Sequence, residues 1–230
     1  TTITLDNTAP TLTIAVATSD EVANADEDET ITVSGEADGA EGQTVTIVAQ
    51  SSAGGGSVTR TVTADAVTGL YEITDFDISG LPDGTITFTA DVDDAAGNSA
   101  TSATDTLTLD KTAPSISIAA PIEGDGLVNA AEDESVLVTG STSGVEQGET
   151  VYIVFTDSAS TPATVSAQAT VDENGNWTLL GSEADISGLT EGTITITANV
   201  DDAAGNSATT AETTITLDNT APTLTIAVAT

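Results

Sequence analysis

Residues Thr85–Val92 read TITFTADV. Ile86, Phe88, Ala90 and Val92 alternate with Thr85, Thr87, Thr89 and Asp91, giving one apolar face and one polar face. That period of two predicts a half-buried β-strand. Six more such segments flank it in the same stretch of chain, near Thr11–Ala17, Thr30–Ser34, Thr44–Ala49, Ser57–Thr63, Leu70–Phe76 and Thr101–Leu109. Turn residues separate them, and no window carries helical periodicity. Seven short alternating strands in about 100 residues predict an all-β chain with an immunoglobulin-like β-sandwich.

The strand runs straight into VDDAAGNSAT (Val92–Thr101), which recurs unchanged at Val200–Thr209. The repeat is larger than this turn. LDNTAPTLTIA begins at Leu5, LDKTAPSISIA at Leu109, and LDNTAPTLTIA again at Leu217. A period this long exceeds the 20–50 residues of solenoids and fits separate domains placed end to end. The expected division is the end of one repeat (1–6), two whole repeats (7–109 and 110–217) and the start of another (218–230). The chain begins and ends in mid-repeat and reads as a fragment. Tyr71 and Trp177 fall at matching places in the two repeats, and both are expected in cores.

Charge narrows the function. The chain has 37 acidic residues against one lysine and one arginine, a formal net charge of −35, and no histidine or cysteine. Two cations cannot neutralise a nucleic acid backbone, so no nucleic acid partner is expected. An anionic membrane surface would repel the chain, and no apolar run is long enough to span a bilayer. Without cysteine, thiols say nothing about the redox compartment. Carboxylates about 4 Å apart repel by roughly 4 kcal/mol at an effective dielectric near 20. An external hard cation that takes six to eight oxygen ligands would relieve this, which points to calcium. Zinc would call for histidine or cysteine.

The acids concentrate at the ends of the expected sandwiches. Loops joining strands A–B, C–D and E–F share one end, and B–C, D–E and F–G share the other. The F–G loops carry Asp93 and Asp94, and Asp201 and Asp202. Asp93 and Asp201 continue the outward parity of their strands, while Asp94 and Asp202 enter the turn. The A–B loops share the spacing D-x-x-x-N-x-x-E, as Asp20, Asn24 and Glu27, and as Asp125, Asn129 and Glu132. The E–F loops begin at Asp77 and Asp185, and the linkers at Asp6, Asp110 and Asp218. With domains end to end, a central site would draw on Asp20, Asn24, Glu27, Asp77, Asp110, Asp201 and Asp202. Asp93 and Asp94 would stand likewise beside Asp6. No EF-hand spacing is present, so these loops match no defined calcium motif.

Together NAAE, DISGL-x-x-GTITITA, DDAAGNSAT and LD-x-TAP resemble the bacterial immunoglobulin-like extender repeats of giant type-I-secreted, RTX-type adhesins. The resemblance covers nearly the whole chain. It implies a calcium-rigidified string between a membrane-retained end and a ligand-binding tip, outside the cell or on its surface. It also implies ion-binding roles for Asp94 and Asp202, for Asp77 and Asp185, for Asp6, Asp110 and Asp218, and for Asn24/Glu27 and Asn129/Glu132. The first repeat departs by reading NADE, with the extra acid Asp26.

The expected function is therefore structural: a monomeric extender whose partners are neighbouring repeats of its own chain, with calcium as its cofactor and no small-molecule substrate. Two rivals stand beside it. A carbohydrate-binding adhesive module would want exposed aromatics, and the chain has six aromatics in all. An enzyme would have to rely on paired carboxylates placed on repeated surface loops. Thr-x-Thr patterns such as Thr193/Thr195/Thr197 suggest an ice-binding face, but solvent-facing strand positions favour threonine anyway.

Overall fold

The alternating segments pair as their apolar faces require. A computed structural model describes residues 3–18 and 20–226. The chain divides into two units, Thr1–Thr112 and Ala113–Thr230. Residues 227–230, the last part of the expected third repeat, lie outside the described residues.

Unit 1 contains β1 (Thr11–Leu12), β2 (Ala15–Ala17), β3 (Val22–Ala23), β4 (Ile31–Asp38), β5 (Thr44–Ser51), β6 (Ser57–Thr63), β7 (Leu70–Phe76), β8 (Gly84–Asp91) and β9 (Ala103–Leu109). In one sheet β4 pairs with β1, β2 and β7, and the other runs β3-β9-β8-β5-β6. Unit 2 repeats the plan with β10 (Ser115–Ile118), β11 (Leu127–Asn129), β12 (Thr139–Ser143), β13 (Thr150–Asp157), β14 (Thr164–Thr170), β15 (Asn176–Thr178), β16 (Gly192–Asn199) and β17 (Ala211–Asp218). Its sheets are β10-β12-β15 and β11-β17-β16-β13-β14. Both units are all-β sandwiches, as the alternation predicts.

Three details depart from the expected strands. The strand expected over Thr30–Ser34 runs on to Asp38 as β4, where it pairs with β1 and β7. The segment Thr11–Ala17 forms two short strands, because the Thr13 carbonyl turns aside to accept the Tyr71 hydroxyl. The A–B loop also contains a strand. There β3 crosses to the opposite sheet and pairs parallel with β9, Val22 opposite Thr108 and Ala23 opposite Leu109. In unit 2, β11 does the same with β17. These crossings bring the A–B loop against the last strand, just before the linker.

The apolar faces close over one core per unit. Ile86, Phe88 and Ala90 are fully buried, and the Phe76 and Phe88 rings meet edge to face at 5.3 Å. In unit 2, Ile153, Phe155, Trp177, Leu179 and Ile186 fill the same space. Tyr71 and Trp177 are buried, as expected. Each lies across the strand pair from a glycine, Tyr71 opposite Gly35 and Trp177 opposite Gly140. Burial pushes the Tyr71 phenol up to about 12. No helix among the described residues is long and apolar enough to cross a membrane.

Candidate functional site

The verbatim turn has a local structural logic. Strand β8 ends at Asp91, and three residues on, Asp94 turns inward to close the F–G loop. Its Oδ1 accepts hydrogen bonds from the Ala96 and Asn98 backbone N–H groups, both at 2.8 Å, and its Oδ2 accepts one from Asn98 Nδ2 at 2.7 Å. Asn98 Nδ2 also donates to the Asp6 carbonyl at 3.3 Å, tying the incoming linker to the turn. Asp6, Asp38 and Asp94 line one hollow of about 280 Å³. Asp93 stays exposed and bridges to Ser99. In unit 2, Asp202 accepts from Asn206 backbone and side-chain N–H groups at 2.8 and 3.0 Å. There Ala203 N–H donates to the Glu146 carboxylate at 2.9 Å, and Asp201 is exposed beside them.

At the opposite end of unit 1 the A–B and E–F loops meet. Asp20 accepts from Val22 N–H at 3.1 Å. Asn24 N–H donates to Glu27 Oε2 at 3.3 Å, while Asn24 Oδ1 accepts from Asp26 N–H at 2.8 Å. Such reciprocal closure is that of a capping box, here serving a turn. Asp77 accepts from the Ser79 backbone and hydroxyl at 2.9 and 2.6 Å, and Asp110 from Thr112 N–H at 3.0 Å. Unit 2 reproduces each step. Asp125 accepts from Leu127, Asp185 from Ser187 and Asp218 from Thr220, and Asn129 donates to Glu132. Nearly every aspartate singled out from the sequence thus shapes its own turn, as Asx side chains do.

The residue at the centre of this end was not singled out. Asp28, next to Glu27, is 4% exposed, and its counterpart Asp133 is 5% exposed. Each anchors the E–F loop, its carbonyl accepting from Ile78 N–H at 2.8 Å or Ile186 N–H at 2.7 Å. Lys111 approaches Asp28 with Nζ 3.8 Å from Oδ2, the one ion pair found among the described residues. Lys111 Nζ also donates to the carbonyls of Ser79 at 2.6 Å and Leu81 at 2.9 Å. Unit 2 has Asn219 in its place. Asn219 Nδ2 donates to Asp133 Oδ2 at 2.7 Å and its backbone N–H to Glu191 Oε1 at 2.9 Å. Asn219 Oδ1 is buried and has no hydrogen-bond partner. A clue lay in the sequence: one of only two cations in the chain stands in the variable position of LD-x-TAP.

Electrostatics follows from these contacts. The Ser79 hydroxyl lowers the pKa of Asp77, Ser187 does so for Asp185, and the Asn98 side chain for Asp94. Asp28 moves the other way. Burial raises it, the Lys111 ammonium partly offsets that, and Glu29, Asp77 and Asp26 push it further up. A lowered folded-state pKa contributes stability above the unfolded value and loses it as pH falls through the folded one. The metal-free protein is therefore expected to lose stability as pH drops below about 4, the ordinary carboxylate range. Urea midpoints at pH 7 and pH 3 would check this, and an unchanged midpoint would contradict it.

Among the described residues, no group of three or more carboxylates lies close enough to hold a metal ion. Oxygen donors here come instead as mixtures of carboxylate, amide and backbone carbonyl. Of the six aromatic side chains only Tyr152 is largely exposed, which leaves little for stacking against a sugar.

Two sandwiches with acid-bearing loops at both ends define an immunoglobulin-like class of tandem domain. Family models of the bacterial Ig-like domain match residues 136–219, and of its group 3 residues 69–172. The chain belongs to the bacterial Ig-like domains. It is 33% identical to a Ca2+-stabilized adhesin that helps an Antarctic bacterium reach out and bind ice, with 91% of this chain and 49% of that one covered and a TM-score of 0.55. A tetra-tandem repeat from the extending region of a large adhesion protein is 30% identical over 91% of this chain and 50% of that one, with a TM-score of 0.43. A bacterial immunoglobulin-like domain from the M. primoryensis ice-binding adhesin is 33% identical over 45% of this chain and 99% of that one, with a TM-score of 0.31. The chain spans about half the length of the first two. No curated protein sequence matches it.

Proposed function

We propose that this segment is a structural extender of a large, type-I-secreted bacterial surface adhesin. In this reading calcium at the loops and interdomain linkers makes the tandem domains rigid, and they project a distal binding region outside the cell. One observation carries it: in each unit the first linker residues dock into the acidic end of the sandwich, Lys111 against Asp28 and Asn219 against Asp133 and Glu191. A cation held at such an end would fix the linker as well as the loops. All the donors are oxygens, and the orphaned Asn219 oxygen is a buried acceptor awaiting a donor or a cation, so the residues fit calcium. The ligands would come from Asp6, Asp93 and Asp94, from Asp20, Asn24, Glu27, Asp77 and Asp110, and from Asp125, Asn129, Glu132, Asp185, Asp201, Asp202 and Asp218.

Calcium would bind only the folded loops, so it would stabilise them by mass action. Extracellular modules often bind with Kd of about 10⁻⁴–10⁻³ M. At low cytosolic calcium the chain would stay loose enough to thread through a secretion channel, then fold outside. The Ca2+-stabilized relative agrees with this reading. Saturating calcium at a hundredfold Kd adds about 2.7 kcal/mol per site, a shift of roughly 10 °C for a domain this size. Chelation is expected to lower the melting temperature by at least that much and to shorten the maximum dimension seen by solution scattering. If both stay constant in excess chelator, the proposal fails.

A further inference from the structure

Lys111 and Asn219 occupy the same place in two nearly identical frames. Both follow the last strand of their unit in LD-x-T, and both face the buried aspartate of the A–B loop. The surrounding frame is the same on each side. The Asp28 carbonyl holds Ile78 N–H as the Asp133 carbonyl holds Ile186 N–H, and Leu81 N–H returns to Ile78 as Leu189 N–H does to Ile186, both at 2.9 Å. Thr112 Oγ1 donates to Asp83 at 2.7 Å, and Thr220 Oγ1 to Glu191 at 2.8 Å.

Within that frame the electrical contents differ. In unit 1 an ammonium sits among two backbone carbonyl oxygens and a buried carboxylate. In unit 2 the carboxylate is as deeply buried, but a neutral amide replaces the ammonium and leaves its own oxygen buried and unpartnered. A buried carboxylate and an orphaned acceptor together are costly without a positive charge. Carboxylate, amide and carbonyl oxygens form a hard donor set.

Building on the calcium reading above, we infer that Lys111 is a tethered cation standing in for one calcium ion: unit 2 holds an ion between Asp133 and Asn219 that unit 1 lacks, because the Lys111 ammonium takes the equivalent place beside Asp28, whatever ions the neighbouring loop acids of either unit bind. One repeat then carries at this end a positive charge encoded by sequence, independent of the medium. The other depends on external calcium. The two repeats then differ in metal dependence at this matched position through one residue.

Calorimetric calcium titration of the whole chain tests this, using wild type, Lys111→Asn and Asn219→Lys, with folding verified by circular dichroism. Asn219→Lys is expected to bind one calcium fewer than wild type and to show a smaller melting shift on chelation. Lys111→Asn is expected to bind one more and to show a larger shift. If wild type binds several ions and both variants bind the same number, the inference fails while the calcium reading stands. A wild type that binds no calcium overturns both. Should Lys111→Asn fold poorly, an unchanged stoichiometry in Asn219→Lys alone overturns the inference, because that variant adds the charge unit 1 already tolerates.

Discussion

Gly140→Ala is expected to cost unit 2 about 3–5 kcal/mol, enough to leave it unfolded in moderate urea. A Cβ at Gly140 would lie 2.1 Å from the Ser117 carbonyl oxygen and 2.3 Å from Trp177 Cζ2. The first neighbour is backbone of the adjoining strand β10 and cannot step aside. The second is the largest buried side chain in the unit, so relief would mean expelling the ring and losing its burial. Unit 1 uses the same device, where a Cβ on Gly35 would meet the Thr13 carbonyl at 2.1 Å and the Tyr71 hydroxyl at 2.5 Å. Gly35→Ala should therefore unfold unit 1 as Gly140→Ala unfolds unit 2. Gly188 provides the control, since nothing lies within 4 Å of a Cβ there. Gly188→Ala should stay within about 0.5 kcal/mol of wild type. Denaturant midpoints for the three variants would decide the matter, and a loss below about 1 kcal/mol for Gly140→Ala would contradict it.

The glycine–aromatic pair marks the limit of what alternation reveals. Period-2 patterning placed β5, β6, β7 and β8 within a residue or two: every second side chain is buried in β5 and β8, and Val58, Val62, Tyr71 and Ile73 are buried or half-buried along β6 and β7. It also put Ile86, Phe88 and Ala90 on the inner face. It could not show that Thr11–Ala17 breaks in two. That break follows from a hydroxyl donated by Tyr71, far away in sequence, to the Thr13 carbonyl. Nor could it find β3, whose two residues carry too short a pattern to register and exist as a strand only because β9 offers an open edge.

At the sandwich ends the sequence was legible as charge but not as burial. Asp93 and Asp201 stay exposed as their strand parity predicts, Asp94 and Asp202 enter the turns, and Asn98 and Asn206 lock them, which gives the verbatim DDAAGNS a structural reason to persist. In the run Asp26–Glu29, by contrast, all four acids look alike on paper. Only the turn closed by Asn24 and Glu27 drives Asp28 inward, where its carbonyl meets Ile78. The significance of Lys111 is hidden for the same reason. A lysine in a linker reads as solvated until its partner is known to be buried.

That burial sets up the second large effect. Lys111→Met, measured in chelator at pH 7, is expected to destabilise unit 1 by about 3 kcal/mol, because it strands the Asp28 carboxylate with no positive charge beside it. The methionine keeps most of the lysine stem, so packing loss contributes little. The pH dependence separates this cause from a packing defect. Burial already raises the Asp28 pKa, and the Lys111 ammonium pulls it back, so removing it raises the pKa further. A carboxyl with a raised folded-state pKa contributes stability fully present below its unfolded value, about 3.9, and lost as pH rises through the folded one. In the variant Asp28 then stays protonated to higher pH, and ionising it at neutrality works against the fold. The gap between variant and wild type should accordingly be smaller near pH 4, where it reflects the lost ammonium hydrogen bonds to the Ser79 and Leu81 carbonyls, and grow towards pH 7. Urea unfolding at both pH values would show it, and a gap of equal size at both would assign the loss to packing instead.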